Sequence, residues 1–86
     1  MALKFTKIFK VTHIAEKPAV GRIPDWVKNL NLKVYDEIEV TIDLSMFYPT
    51  GHEMTIMNLE TGKSIHINSK SFGNSFSYGK LKIEEK

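Results

Sequence analysis

The segment of this chain that comes nearest to a nucleotide-binding motif is Thr61-Gly62-Lys63-Ser64. It matches the end of a phosphate-binding loop, in which backbone amides and a lysine surround phosphate groups. That motif also requires a glycine five residues before Gly62, where this chain has Met57, and a helix directly after the loop. Because Ile65-His66-Ile67 has the pattern of a strand instead, we expect no nucleotide site here.

The histidines, carboxylates and serines show no arrangement typical of catalysis or metal binding. His52-Glu53 begins like the helical zinc-protease motif, but Ile56 occupies the position of its second histidine. Glu37 and Glu39 fall on one strand face, as in a solvated acidic stripe rather than an acid–base pair. No serine lies in a nucleophile-elbow sequence, and cysteine is absent. We therefore expect no catalytic residue, no metal site, no cofactor and no enzymatic activity.

Charge is distributed unevenly along the 86 residues, although the formal net charge is only +2. Residues 1–33 contain seven basic side chains and two carboxylates. Residues 34–60 contain six carboxylates and no lysine or arginine, whereas residues 61–86 contain five lysines and two carboxylates. Such segregation creates a local positive potential that attracts nucleic acid, with solvated strand faces as the alternative explanation.

The hydrophobic pattern predicts a mainly β domain with one short helix. Ile38, Val40 and Ile42 alternate with polar residues, which is typical of a half-buried strand. Pro24-Asp25 has the composition of a helix start, because proline needs no N–H there and a carboxylate suits the positive end of the helix dipole. The predicted order is a strand over 3–14, a helix from Pro24 to about Asn31, a strand over 37–44, a hairpin joining 54–59 to 64–68, a polar loop over 68–78 and a strand over 79–84.

The length predicts a single domain, residues 1–86, with a small core. A domain of this size buries only roughly 60–65% of the surface of its unfolded chain, and disulfides are excluded by the lack of cysteine. We therefore expect oligomerisation to supplement the core. No apolar run is long enough to cross a membrane and no signal peptide is visible, so a cytoplasmic protein without membrane contact is expected.

Residues 18–43 contain an ordered series of local signals. Arg22-Ile23-Pro24 is followed by a short amphipathic helix ending in Leu30-Asn31-Leu32, and then by an acidic turn and alternating strand, Asp36-Glu37-Ile38-Glu39-Val40. This series resembles the swapped-hairpin DNA-binding domain of AbrB-type transition regulators and MazE-type antitoxins, the SpoVT-AbrB family. Many members of that family have glycine just before the turn aspartate, where this chain has Tyr35.

The resemblance implies that two chains exchange hairpins to form one barrel and that the homodimer binds double-stranded DNA. It implies an AbrB/MazE-like core over residues 1–59, extended by further β structure over residues 60–86. It also implies a regulator of transcription or an antitoxin-like protein, with a toxin or another target protein as a second partner. Arg22 is the residue that the matched motif assigns to DNA, since a guanidinium bonds phosphate or guanine bidentately. The alternative is that Arg22 pairs with Asp25 or Glu16.

Charge, rather than the motif, adds five lysines to the predicted DNA-binding surface. Lys17 and Lys28 flank Arg22 most closely, and Lys4, Lys7 and Lys10 belong to the same basic segment. Each phosphate contact would add to the salt dependence of binding. Trp26 lies on the apolar stripe of the predicted helix, so we expect it in the core rather than stacked on a base.

Two other functions are consistent with the same sequence. A small monomeric β-barrel could act by binding another protein, as a phage-type inhibitor does, with the acidic residues 34–60 imitating a phosphate backbone. An RNA-binding barrel is the other alternative, because residues 70–76 combine Lys70 with Phe72 and Phe76, as in proteins that bind single strands. An ordered loop anchored by its phenylalanines is the other explanation of this segment.

Overall fold

One antiparallel sheet organises the chain in the computed structural model, which describes residues 3–16, 22–48 and 51–86 and, for 46–48, the backbone alone. Its strands follow the spatial order β4-β3-β2-β1-β5. The strands are β1 (Lys4–Ile14), β2 (Glu37–Tyr48), β3 (Gly51–Asn58), β4 (Ser64–Asn68) and β5 (Leu81–Glu85), and the helices are α1 (Asp25–Asn29), α2 (Ser69–Asn74) and a short 3-10 helix (Ser77–Gly79).

The mainly β class predicted from the sequence is confirmed, but the sheet is open. β4 and β5 lie at its two opposite edges, so the described strands of one chain do not close a barrel. A second correction concerns the polar loop predicted over 68–78, which contains α2 and the 3-10 helix. The Asn68 side chain accepts a hydrogen bond of 2.8 Å from the Ser71 amide and so caps α2.

Strand alternation gives the sheet two chemically different faces. Directly opposed residues of an antiparallel pair lie on the same face. Phe9 is opposite Ile38, and Ile38 is opposite Asn58, so these three positions share the inner face. Thr6, Thr41 and Thr55 are opposed in the same way on the outer face, where the Thr6 and Thr41 hydroxyls lie 2.9 Å apart. Lys7, which is opposite Val40, is the polar exception among the β1 residues of the inner face.

The hydrophobic core lies between the inner face and the helices. Trp26 of α1 is only 5% exposed, which confirms its predicted place in the core. The fully buried Asn58 has its polar atoms satisfied, because its amide nitrogen donates to the Leu30 carbonyl and its side-chain oxygen accepts from the Glu60 amide. The buried apolar residues are Val11, Trp26, Val27, Leu30, Leu32, Ile38, Val40, Met54, Ile56 and Leu81.

Residues 69–80, which include α2, connect β4 at one edge of the sheet to β5 at the other edge and cross the inner face. The segment contacts α1 through Trp26, whose ring centroid lies 5.7 Å from that of Phe72, and Phe72 in turn packs edge-on against Phe76. Residues 22–30 and 69–80 thus form one layer over the inner face, which we call the helix layer. Among the described residues, no helix is long and apolar enough to cross a membrane.

Tyr35 provides a test of backbone strain, because its φ is +78° and its exposed fraction is 73%. A left-handed conformation costs an L-residue roughly 1–2 kcal/mol, whereas glycine adopts it freely. Tyr35→Gly is therefore expected to raise the free energy of unfolding by about 0.5–1 kcal/mol, after the added chain entropy of glycine is subtracted. Urea denaturation measures the change. Tyr35→Ala is the matched control, since it removes the ring but keeps the strain, and equal values for the two variants would contradict the prediction.

Candidate nucleic-acid interface

Arg22 lies immediately before α1 and is the first described residue of the helix layer. Pro24 is the N-cap and Asp25 the first helical residue, so α1 starts one residue later than the predicted start at Pro24 and ends at Asn29 rather than near Asn31. The Arg22 guanidinium forms an ion pair with the Asp25 carboxylate at 3.8 Å, and its side chain is 79% exposed. An exposed pair at this distance contributes little to stability, so the guanidinium is available to an incoming anion.

A cleft between the start of α1 and the end of α2 brings Arg22 together with Lys80. Its volume is about 410 Å³. Ser71 and Asn74 of α2 also line it and add hydroxyl and amide donors of the kind that bind phosphate oxygens. Lys80 was not among the residues predicted from the sequence, because it is remote from Arg22 along the chain and the two meet only through the packing of α2 on α1.

The helix layer carries more positive than negative charge. Residues 22–30 and 69–80 contain four basic side chains and one carboxylate, that of Asp25. Lys28 of α1 and Lys70 of α2 are exposed, and neither forms an ion pair with a described residue. We call the surface formed by Arg22, Lys28, Lys70 and Lys80 the basic surface.

The structure separates the lysines that the sequence grouped together. Lys4 and Lys10 project from the outer face of the sheet, opposite Asp43 and Glu37 respectively. They therefore lie on the other side of the sheet from the helix layer. Of the predicted lysines that the structure describes, only Lys28 joins Arg22 on the basic surface.

Lys7 lies on the inner face near the edge of the sheet, where its ammonium group is 2.9 Å from the Glu85 carboxylate. Lys17 lies outside the described residues.

Carboxylates cluster at the centre of the outer face. Glu39 and Asp43 of β2 lie across from Met57 and Glu53 of β3. Hydrogen bonds from the Ser45 hydroxyl and amide lower the pKa of Asp43, and the charge of Lys4 adds to this effect. Both basic and acidic groups occur here, so the outer face lacks the one-sided charge of the helix layer.

The histidines do not converge. The His66 ring nitrogen Nδ1 lies 3.2 Å from the Thr55 hydroxyl and 3.9 Å from the Glu53 carboxylate. Among the described residues, no three histidine, aspartate or glutamate side chains are grouped as metal ligands.

Comparison with known proteins gives no relative: no family model, no curated protein and no solved structure matches the chain.

Proposed function

We propose that this protein binds double-stranded DNA through the basic surface and regulates transcription as a homodimer, without catalytic activity. The observation that supports this proposal is the cleft that is lined by Arg22 and Lys80 together with Ser71 and Asn74. A guanidinium, an ammonium group and two neutral donors are the groups that commonly contact the sugar–phosphate backbone. Lys28 and Lys70 extend the positive charge beyond the cleft along the two helices.

The charge distribution also favours one side of the molecule over the other. A duplex that approached the outer face would meet Glu39, Asp43 and Glu53, whose carboxylates repel phosphates. A duplex that approached the helix layer would meet four basic groups and the single carboxylate of Asp25. We therefore assign DNA contact to the helix layer, and not to Lys4 or Lys10.

The homodimer in this proposal is supported by the resemblance of residues 18–43 to the SpoVT-AbrB family. An exchange of hairpins, as in that family, and a pairing of intact protomers are the two forms that such a homodimer can take. Two copies would double the number of phosphate contacts and match two half-sites of an operator. An antitoxin-like role, with a toxin as second partner, belongs to the same proposal.

Fluorescence anisotropy of a labelled duplex, titrated at several salt concentrations, tests the proposal. We expect Arg22→Ala and Lys80→Ala each to weaken binding on the order of tenfold at low salt. Each should also reduce the slope of log affinity against log salt by about 0.9, because one phosphate contact is lost. Lys10→Ala is the matched control, since it removes a lysine from the outer face of the sheet, on the other side from the basic surface.

Three results would contradict the proposal. The first is an absence of duplex binding at low salt, where electrostatic affinity is greatest. The second is an equal effect of Arg22→Ala and Lys10→Ala, which would mean that net charge alone matters. The third is a clear preference for single-stranded RNA in the same titration, which would support the RNA-binding alternative instead.

A further inference from the structure

The edge of β1 is only half covered by its neighbour β5. β5 pairs with β1 from Phe9 to Ile14, and the Lys86 amide extends the pairing with a 3.0 Å hydrogen bond to the Ile8 carbonyl. No described residue pairs with the same edge between Lys4 and Lys7. An uncovered strand edge presents a row of hydrogen-bonding groups to any second strand.

The backbone groups at this open edge can be assigned residue by residue. The Leu3 carbonyl accepts from the Leu44 amide of β2, and the Val11 amide and carbonyl also bond toward the β2 side. Because bonding direction alternates along an antiparallel strand, the odd-numbered residues of β1 bond to β2. The even-numbered residues face the other way, as Ile8 shows by bonding to Lys86. Lys4 and Thr6 therefore each direct an N–H and a C=O to the open edge.

An apolar patch lies beside the open edge. Leu3, Phe5 and Leu44 are 48%, 56% and 38% exposed. Leu3 bonds to Leu44 and Phe5 is opposite Ile42, so these side chains share the inner face. Exposed apolar side chains grouped in this way are typical of an interaction site.

The charges at the edge favour a second copy over a strongly charged partner. Lys4 is opposite Asp43, and the Lys7 ammonium group lies 2.9 Å from the Glu85 carboxylate. Each lysine that would repel an identical edge is therefore balanced by a carboxylate of its own chain. A nearly neutral edge with an apolar patch is complementary to itself.

We propose that two copies of this chain pair antiparallel through the open edges of β1, with Phe5 opposite Phe5 of the second copy. Lys4 of each copy then lies opposite Thr6 of the other, which allows four backbone hydrogen bonds between the copies. The two sheets become one sheet of ten strands, and the two apolar patches meet around the phenylalanine pair.

Neighbouring registers are disfavoured. A shift of two residues in one direction places Lys4 opposite Ile8, whose edge position the Lys86 backbone already occupies. A shift in the other direction places the two Lys4 side chains directly opposite each other, and like charges at such positions are destabilising. Only the register centred on Phe5 avoids both conflicts.

This pairing fixes the orientation of the two helix layers. The two-fold axis is perpendicular to the shared sheet, so both inner faces, and with them both basic surfaces, lie on the same side. One duplex can then contact both copies, a consequence that rests on the proposed function. Each protomer keeps its own five strands, unlike the swapped-hairpin dimer, in which a hairpin is exchanged.

Sedimentation equilibrium from micromolar to millimolar concentration measures the dimer. The contact of about five residues per chain is smaller than the ~20–30 residues per side of a standard interface, so we expect a dissociation constant in the micromolar range or weaker. Thr6→Pro removes an N–H that faces the edge and no hydrogen bond to β2, and proline is tolerated at such positions. We expect it, and also Phe5→Lys, to weaken the dimer by about tenfold or more.

Two control variants separate the edge from general effects. Thr6→Val keeps the edge N–H but loses the hydroxyl contact with Thr41, so it should leave dimerisation unchanged. Tyr78→Lys replaces an aromatic residue that is 76% exposed and distant from the edge, and should also leave it unchanged. Circular dichroism establishes that each variant is folded.

Amide hydrogen exchange tests the register directly. Protection of the Lys4 and Thr6 amides should increase with protein concentration, whereas the Phe5 and Lys7 amides, which bond to β2, should be protected at every concentration. A protein that stays monomeric at millimolar concentration, or a dimer that neither Thr6→Pro nor Phe5→Lys weakens, would overturn the inference. A dimer that neither variant weakens would instead fit an exchanged hairpin. Loss of DNA binding with dimerisation intact would overturn only the proposed function.

Discussion

Trp26→Ala is expected to lower the free energy of unfolding by about 3–5 kcal/mol, which approaches the total stability of many domains of this size. Trp26 is almost fully buried and belongs to both parts of the helix layer, since α1 carries it and α2 packs against it. Its removal leaves a large cavity where the two helices meet. Neither helix is long enough to be stable without such packing, because short isolated helices are marginal in water.

Trp26 also holds a polar link between the helices. Its indole nitrogen donates a 2.8 Å hydrogen bond to the Ser75 hydroxyl, and that hydroxyl donates in turn to the Ser71 carbonyl of α2. Trp26→Phe keeps most of the apolar contact but loses the donor. We therefore expect Trp26→Phe to cost less than the alanine variant, about 1–2 kcal/mol from the lost hydrogen bond and the smaller ring.

Urea denaturation followed by far-ultraviolet circular dichroism measures both variants, since the only tryptophan of the chain is removed. Tyr78→Ala is the control, because this aromatic residue is 76% exposed and its loss should change the free energy of unfolding by no more than about 0.5 kcal/mol. A cost below about 1 kcal/mol for Trp26→Ala would mean that α2 does not depend on the tryptophan for its position.

Local sequence patterns were sufficient for the elements whose alternation or starting point is marked by their own residues. The alternation of β2 was visible from Ile38 onward, and the start of α1 was marked by Pro24-Asp25. α2 was missed because its residues, Ser-Lys-Ser-Phe-Gly-Asn, have weak helix propensity. Its position is supported by Phe72 against Trp26 and by the Asn68 cap, and the first of these is a long-range contact that sequence spacing does not show.

For the candidate site, too, the sequence indicated only the residue that belongs to a local pattern. Arg22 was selected because it belongs to a local motif, and its DNA-binding role stays a prediction with which its exposed position at the cleft is compatible. Lys4 and Lys10 were grouped with Arg22 because they are close to it in sequence. Strand alternation, however, puts both lysines on the face of β1 opposite to Phe9. Charge per segment is therefore a weak guide in a sheet, since neighbouring residues point to opposite sides.

Gly51→Ala is expected to be the most damaging of the conservative substitutions, with a cost of about 3 kcal/mol or more. The φ of Gly51 is +102°, a conformation that L-residues rarely adopt. A Cβ at this position would also lie 2.1 Å from the Ser69 hydroxyl oxygen and 3.2 Å from the Lys70 amide nitrogen. The first distance is well inside van der Waals contact, so the Ser69 side chain would have to rotate and lose its hydrogen bond from the His52 amide, or the start of α2 would have to move.

A double-mutant cycle separates the steric conflict from the backbone strain. Ser69→Ala alone removes the hydroxyl that accepts a 2.9 Å hydrogen bond from the His52 amide, and should cost about 1 kcal/mol. In Gly51→Ala/Ser69→Ala the conflicting oxygen is absent, so the combined loss should be smaller than the sum of the single losses by more than about 1 kcal/mol. The cost that remains measures the strain at φ +102°. Additive losses in urea denaturation would show that β3 and α2 are not held together at this point.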